Sequence, residues 1–293
     1  MNRIFEVSGT FPRLDGLSIL LSATVGIEEL QSRVPQRGKR ADLTFKQLAV
    51  RTQCSPRELV QALTALGCIS LSGHIRMMDP SDMANALCVL VRYCEEVHNE
   101  DVSWDAIEER FSVSVYPPIL LKVVKTNFLK KDDGEALFLF ALDALVVAFA
   151  RHLFARQGGG QWDTFPEWSV SDFSTVWESF VPASVLENVH FRSTEGTEHF
   201  LRLTHGYIVS VGGHASRVNN SRIVFAPKEF LPFSVPNRLK VLFDIKPDNW
   251  PASSLKAYMD PFITATHPFG QVVARYTREL NVPGEPVVYS ALV

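Results

Sequence analysis

The sequence has few cysteines, no surplus of positive charge, no long apolar run and no catalytic signature. Four of its 293 residues are cysteine: Cys54, Cys68, Cys88 and Cys94. No pair has C-x-x-C spacing and no nearby histidine completes a zinc set. Free, buried thiols in a reducing compartment are expected, not a disulfide scaffold or a metal knuckle. Lys and Arg number 29 against 32 Asp and Glu, for a net charge of −3. That balance excludes a strongly basic nucleic-acid binder. Any DNA contact has to come from local patches and is expected to be weak and salt-sensitive. The first ten residues lack the basic flank and apolar run of a signal peptide. The most apolar stretch, residues 136–154, is interrupted by Asp143 and Arg151. It falls short of the ~20 residues of a membrane span, so a soluble intracellular protein is expected.

Signatures of catalysis are missing as well. There is no G-x-G-x-x-G, and Gly158 to Gly160 lack the Lys-Ser/Thr that a phosphate loop requires. There is no G-x-S-x-G elbow. The eight histidines are scattered, without an H-E-x-x-H or H-x-H pair, and His205 and His214 flank glycines in what reads as a solvated loop. Asp132-Asp133 and Glu95-Glu96 are neighbours that point apart on a helix, hence solvated faces. No nucleophile, base and orienting group converge, so a non-enzyme with neither cofactor nor metal is expected.

What the chain does have is length, apolar content and a recurring plan. With 46% hydrophobic and 21% charged residues, it suits two to four small globular domains. Residues 43–79 read helix, turn, helix, strand, polar tip, strand. Thr44 can cap a helix starting at Phe45. Ser55, Pro56 and Glu58 form a capping box for a second helix, whose Leu59, Leu63 and Leu66 make one stripe. Gly67 suits the left-handed stop. Strands 68–71 and 75–78 flank the tight turn Ser72-Gly73, and a helix over 82–96 follows.

The plan returns in residues 102–140. Ser103 caps the first helix, Pro117-Pro118 enter the second, and strands at 128–129 and 136–140 flank a tip centred on Asp133-Gly134. A helix over 142–155 comes next. A weaker copy spans 169–203, with Ser171-Asp172 opening a helix, a short helix over 184–189, and strands 191–193 and 199–203 about Glu195-Gly196. Residues 206–236 read as irregular, with an extra strand over 222–225. The fourth copy, 252–289, has a cap at Ser253 or Ser254. Its second helix runs over about 269–280 and buries Val272, Val273 and Tyr276. Gly284 sits at its tip and 287–289 form a return strand.

Each copy is the plan of a winged helix. The expected fold is α+β, with tandem winged-helix domains at 41–98, 99–160 and 237–293, a winged-helix-like unit with a long connection at 161–236, and an N-terminal remnant and linker over 1–40. Lys122 and Lys125, on the second helix of unit two, and Lys130 and Lys131, leading into its wing, are candidates to meet a phosphate backbone. Lys256, Arg275 and Arg278 form a second candidate patch, Arg275 and Arg278 sharing a helix face at i, i+3. The second helix of unit one offers only Arg57, offset by Glu58, and reads as a protein-contact surface. No unit has the Arg/Asn/Gln cluster that sequence-specific readout needs.

Three segments resemble the sister chromatid cohesion subunit of the alternative (chromosome transmission fidelity) replication factor C clamp loader, the "defective in sister chromatid cohesion" family. The first ends Gly73-His74-Ile75-Arg76-Met77-Met78-Asp79. The second carries Phe173-x-x-Val176-Trp177 and then Pro182. The third has Leu242-Phe243, Trp250, Tyr258, Ala274-Arg275-Tyr276 and Val288-Tyr289. The resemblance implies a non-catalytic nuclear subunit acting in DNA replication and sister chromatid cohesion. Its implied partners are the large clamp-loader subunit and a small cohesion subunit, DNA polymerase epsilon, the sliding clamp indirectly, and single- and double-stranded DNA weakly; no membrane is implied. Such proteins carry a β-barrel region before the first winged helix. Here only about forty residues precede it, so a reduced segment in place of the barrel is expected. The sequence ends at Val293 without a basic tail, for which a lower DNA affinity is expected. The competing reading is a winged-helix scaffold of another nuclear assembly with no DNA contact.

Overall fold

The structure is a computed structural model that describes residues 24–25, 43–52, 55–71, 73–97, 103–112, 116–130, 139–157, 165–191, 193–212, 221–232, 234–281, 284 and 286–292. Helices and small, mostly antiparallel sheets alternate along it. None of its described helices is long and apolar enough to cross a membrane.

The first unit is α1 (Phe45–Thr52), α2 (Pro56–Ala65), β2 (Cys68–Leu71) and β3 (His74–Met78). A short strand, β1 (Thr24–Val25), pairs in parallel with Met77 and Met78 of β3; its apolar neighbours gave no sign of it. Thr44 caps α1 reciprocally: its Oγ1 accepts from the Gln47 amide at 3.3 Å while Gln47 Oε1 accepts from the Thr44 amide at 2.9 Å. That is a capping box closed by Gln rather than Glu. Gly67 and Gly73 hold φ of 66° and 81°, where a Cβ is strained, so each marks the turn its composition predicts. Leu48, Leu59, Leu63, Leu66 and Ile75 form a small core of their own.

α3 (Pro80–Glu96) runs inward from an Asp79 cap whose Oδ1 accepts from the Ser81 amide at 2.8 Å. Its stripe of Met83, Leu87, Leu90, Val91 and Cys94 is buried. α4 (Trp104–Ser112), α5 (Pro118–Phe128), β4 (Leu129–Lys130) and β5 (Leu139–Phe140) make the second helix–helix–hairpin unit. Ser103 Oγ caps α4 on the Ala106 amide at 3.2 Å. The expected tip at Asp133-Gly134 lies outside the described residues. α6 (Leu142–Gln157) packs along α3, and both helices line the largest core.

The third unit departs from the expected plan. β6 (Glu167–Ser169), α7 (Val170–Phe180) and α8 (Ala183–Asn188) are followed by a third helix, α9 (Thr194–Leu203), where two strands were expected. The Glu195-Gly196 pair is no turn. Ser193 Oγ caps α9 on the Gly196 amide at 3.1 Å, and Gly196 is small because a Cβ there would sit 2.2 Å from the His190 carbonyl oxygen. The alternation of residues 199–203 is outweighed by the cap and by Phe200, fully buried among Phe173, Trp177 and Phe191. The hairpin comes later, as β7 (Ile208–Val211) and β8 (Arg222–Phe225), with β6 completing the order β6-β8-β7.

The last unit is α10 (Val235–Ile245), β9 (Trp250–Pro251), α11 (Ala252–Met259), α12 (Phe269–Val273), β10 (Thr277–Leu280) and β11 (Val288–Ala291). α11 starts at Ala252 behind Pro251, so neither Ser253 nor Ser254 is the cap. The helix expected over 269–280 ends at Val273. Thr277 is buried and its Oγ1 donates back to the Val273 carbonyl at 3.0 Å, satisfying an end that would otherwise need the next turn. The chain then pairs with β11 around Gly284, whose φ is 85°. Tyr276, expected in the core, is 38% exposed.

Candidate nucleic-acid and protein interface

On α5, Leu120, Leu121, Val123 and Val124 are buried. Helical periodicity therefore turns Lys122 and Lys125 outward together, three residues apart, and both are exposed. Lys130 follows directly on β4 and is exposed too. Lys131 lies outside the described residues. The lysines are not equivalent. Lys125 Nζ lies 4.0 Å from Glu108 Oε1 and 5.5 Å over the Trp104 ring, and Trp104 Nε1 donates to the same carboxylate oxygen. Lys125 is thus partly neutralised by α4.

The second expected patch is dispersed. Lys256 is exposed on α11, Arg275 in the turn after α12, and Arg278 on β10 opposite Ser290. The early end of α12 puts Arg275 and Arg278 on a turn and a strand, so they share no helix face.

The units interlock through side chains with no motif in the sequence. Glu95 Oε1 on α3 accepts from the Ser184 amide at the start of α8 at 2.7 Å. Arg92 Nη2 and the Cys88 thiol both donate to the Phe180 carbonyl at the end of α7, at 3.2 and 3.3 Å. Burial pushes the Cys88 and Cys94 thiols up, Cys94 to about 11. Both are free and buried, as expected, whereas Cys68 is free but half-buried; Cys54 lies outside the described residues. Arg238, 2% exposed, donates to the carbonyls of Leu231 (3.1 Å), Pro232 (2.9 Å) and Tyr258 (2.8 Å) and lies 5.1 Å over the Phe262 ring. It clamps the exit of unit three to α11.

A cavity of about 380 Å³ opens where α3, α5, α6 and the end of α9 converge. Arg151 lines it, with Asp143, His205 and Tyr207. Burial lowers Arg151 and raises Glu229, which shares a hydrogen bond with Tyr207; burial also lifts Tyr207. His205, expected to be solvated, is half-buried, and burial followed by nearby Arg202 lowers it. His214 lies outside the described residues. Reading by motif missed this cluster; its trace in the sequence is Arg151 itself, a charge inside the most apolar run. No group of acidic, His and Cys side chains able to hold a metal ion occurs among the described residues.

Four of the aromatic residues that carry the family resemblance are core, whereas Tyr276 is exposed. Phe173, Trp177, Trp250 and Tyr258 are at most 2% exposed, and Trp177 Nε1 donates to the Val189 carbonyl at 3.2 Å. They are therefore markers of the fold and not contacts to a partner. A family model described as sister chromatid cohesion protein Dcc1 matches residues 1–259. No curated protein matches the chain.

Proposed function

The chain belongs to the sister chromatid cohesion protein Dcc1 family, and from that premise we propose that it is a non-catalytic nuclear adaptor of an alternative replication factor C clamp loader. A role in sister chromatid cohesion comes with the family. In this reading the helix–helix–hairpin units are winged helices. They hold the large clamp-loader subunit, a small cohesion subunit and DNA polymerase epsilon, act on the sliding clamp indirectly, and touch single- and double-stranded DNA without reading sequence.

The observation that supports the DNA part is the outward lysine face of α5, continued by Lys130 on β4, in a unit whose other face is fully committed to the core. Point charges of this kind position a phosphate backbone without specifying bases. Anisotropy titrations of the chain with single-stranded and duplex DNA over a salt series test it. Binding is expected to weaken steeply with salt, and Lys122→Glu with Lys130→Glu is expected to flatten the log–log slope by about two, at about 0.9 per phosphate contact. An unchanged slope removes this face from the proposal. Absence of binding to any DNA at low salt favours the second reading, a scaffold that holds protein only. The local pairing of Lys125 with Glu108 and the dispersal of Lys256, Arg275 and Arg278 speak for that reading.

A further inference from the structure

Packing accounts for Phe173, Trp177, Trp250 and Tyr258, but not for Tyr276, which is 38% exposed and meets no other ring among the described residues. The sheet β10-β11-β9 turns it outward. Directly opposite residues of an antiparallel pair share a face, and neighbours along a strand alternate. Glu279 pairs with Tyr289, a core residue, so that face points inward. Arg278 pairs with Ser290 and Leu280 with Val288 on the outward face. The Leu292 amide donates to the Tyr276 carbonyl at 3.1 Å and carries the ladder one rung further. Tyr276, Arg278 and Leu292, the last 52% exposed, thus stand together on the outer face.

Charge defines what this face can take. Arg275, in the turn, and Arg278 are exposed, and neither side chain has a hydrogen-bond or ion-pair partner among the described residues. The adjacent acid, Glu279, lies on the other face and accepts from the Tyr289 hydroxyl at 2.9 Å. The early end of α12 takes away a shared helix face for a duplex groove, and it is also what brings Arg275, Tyr276 and Arg278 together around the turn. In a duplex the faces of the bases are stacked on one another and closed to side chains, whereas in a single strand they are open. An exposed ring between two unpartnered cations complements an unpaired base and its flanking phosphates.

We infer that Tyr276 is a specificity-determining residue that stacks on an unpaired base while Arg275 and Arg278 hold the flanking phosphates, so that the C-terminal sheet selects single-stranded DNA over duplex. The inference rests on the DNA part of the proposed function but not on the lysines of α5.

The test measures three probes by anisotropy at low salt: oligothymidylate, an abasic strand of the same length, and a duplex. Each is titrated with the full chain and with the full chain carrying Lys122→Glu and Lys130→Glu. In that background oligothymidylate should still bind, and more tightly than the abasic strand or the duplex. Tyr276→Ala should lower its affinity at least about fivefold, the low end for loss of one stacked base, and leave the abasic strand unchanged. Tyr276→Trp should restore it. Arg278→Ala should weaken both strands and lower the salt slope by about 0.7. Equal binding of the abasic strand and oligothymidylate would overturn the inference, as would a duplex bound as tightly as the single strand, or a Tyr276→Ala loss of the same size on all three probes. If the α5 substitutions abolish single-strand binding, this site falls and the lysine face stands. If they cost nothing and Tyr276→Ala does, the lysine face falls and this site stands.

Discussion

The carboxylate of Glu95 closes the N-terminus of α8 on the Ser184 amide, across 89 residues of sequence. A cap normally comes from the residue just before a helix, and here that residue is Pro182, which makes no side-chain hydrogen bond. Glu95→Ala is expected to cost about 1–2 kcal/mol, as for loss of an N-cap. Urea denaturation checks this, and hydrogen exchange should rise first over residues 183–188.

Arg238→Met should cost more. It keeps the volume but takes the donor from three carbonyls, two of them buried, and about 3–5 kcal/mol is expected by comparison with broken buried pairs. Exchange protection should fall around Tyr258 while Trp177, in the other core, keeps its protection.

Gly196→Ala tests whether α9 is held by close approach. The new Cβ would lie 2.2 Å from a backbone oxygen and 2.6 Å from His190 Nδ1. Since the oxygen is backbone and cannot swing away, a loss of about 1–3 kcal/mol is expected, typical of overpacking. Thermal unfolding reads it. An unchanged midpoint would mean that α9 can shift freely.

His152 provides a pH dependence. It is 4% exposed, its ring tilted by 32° against that of Phe180 at 4.7 Å, with Nδ1 unpartnered. Burial, then nearby Arg156, lowers it below its ordinary value of 6.5. With the folded value below the unfolded one, the unfolded chain binds the proton more readily. The contribution to stability is complete above pH 6.5 and is lost as pH falls through the folded value. Unfolding midpoints at pH 7.5 and below 6 should therefore diverge, and His152→Phe should narrow the difference.

Glu108→Gln should strengthen DNA binding if the α5 face is used, because it releases Lys125 from its nearest carboxylate. The expected gain is small, about twofold to fivefold for an exposed pair at low salt, and should vanish at high salt. Anisotropy at two salt concentrations checks it.

Units one and two were legible because their signals are local. Thr44, Ser55-Pro56, Gly67 and Gly73, and Ser103 and Pro118, each act within one turn of where they stand. Units three and four failed where tertiary contacts decide. Gly196 has the look of a turn residue but is set by His190, and residues 269–280 have helical spacing but are drawn into a hairpin by β11. The lysines of α5 could be placed because an apolar stripe fixes what lies opposite it. Arg151, Glu229 and Tyr207 could not, since a cluster assembled from separate elements has no spacing to read.

The sheet β6-β8-β7 packs on a core from both faces, while its Glu167–Arg222 pair stays exposed. Ile208, Ile223 and Phe225 belong to the large core, while Val209 and Val224 belong to the C-terminal one. Alternate side chains of the same strands thus serve two interiors, as the period of a strand requires. With no free spacer between those two cores, a partner held by α5 and another held by α11 would sit at a set separation. In that case the chain works as a gauge block, whose thickness is one β-sheet, rather than as a tether.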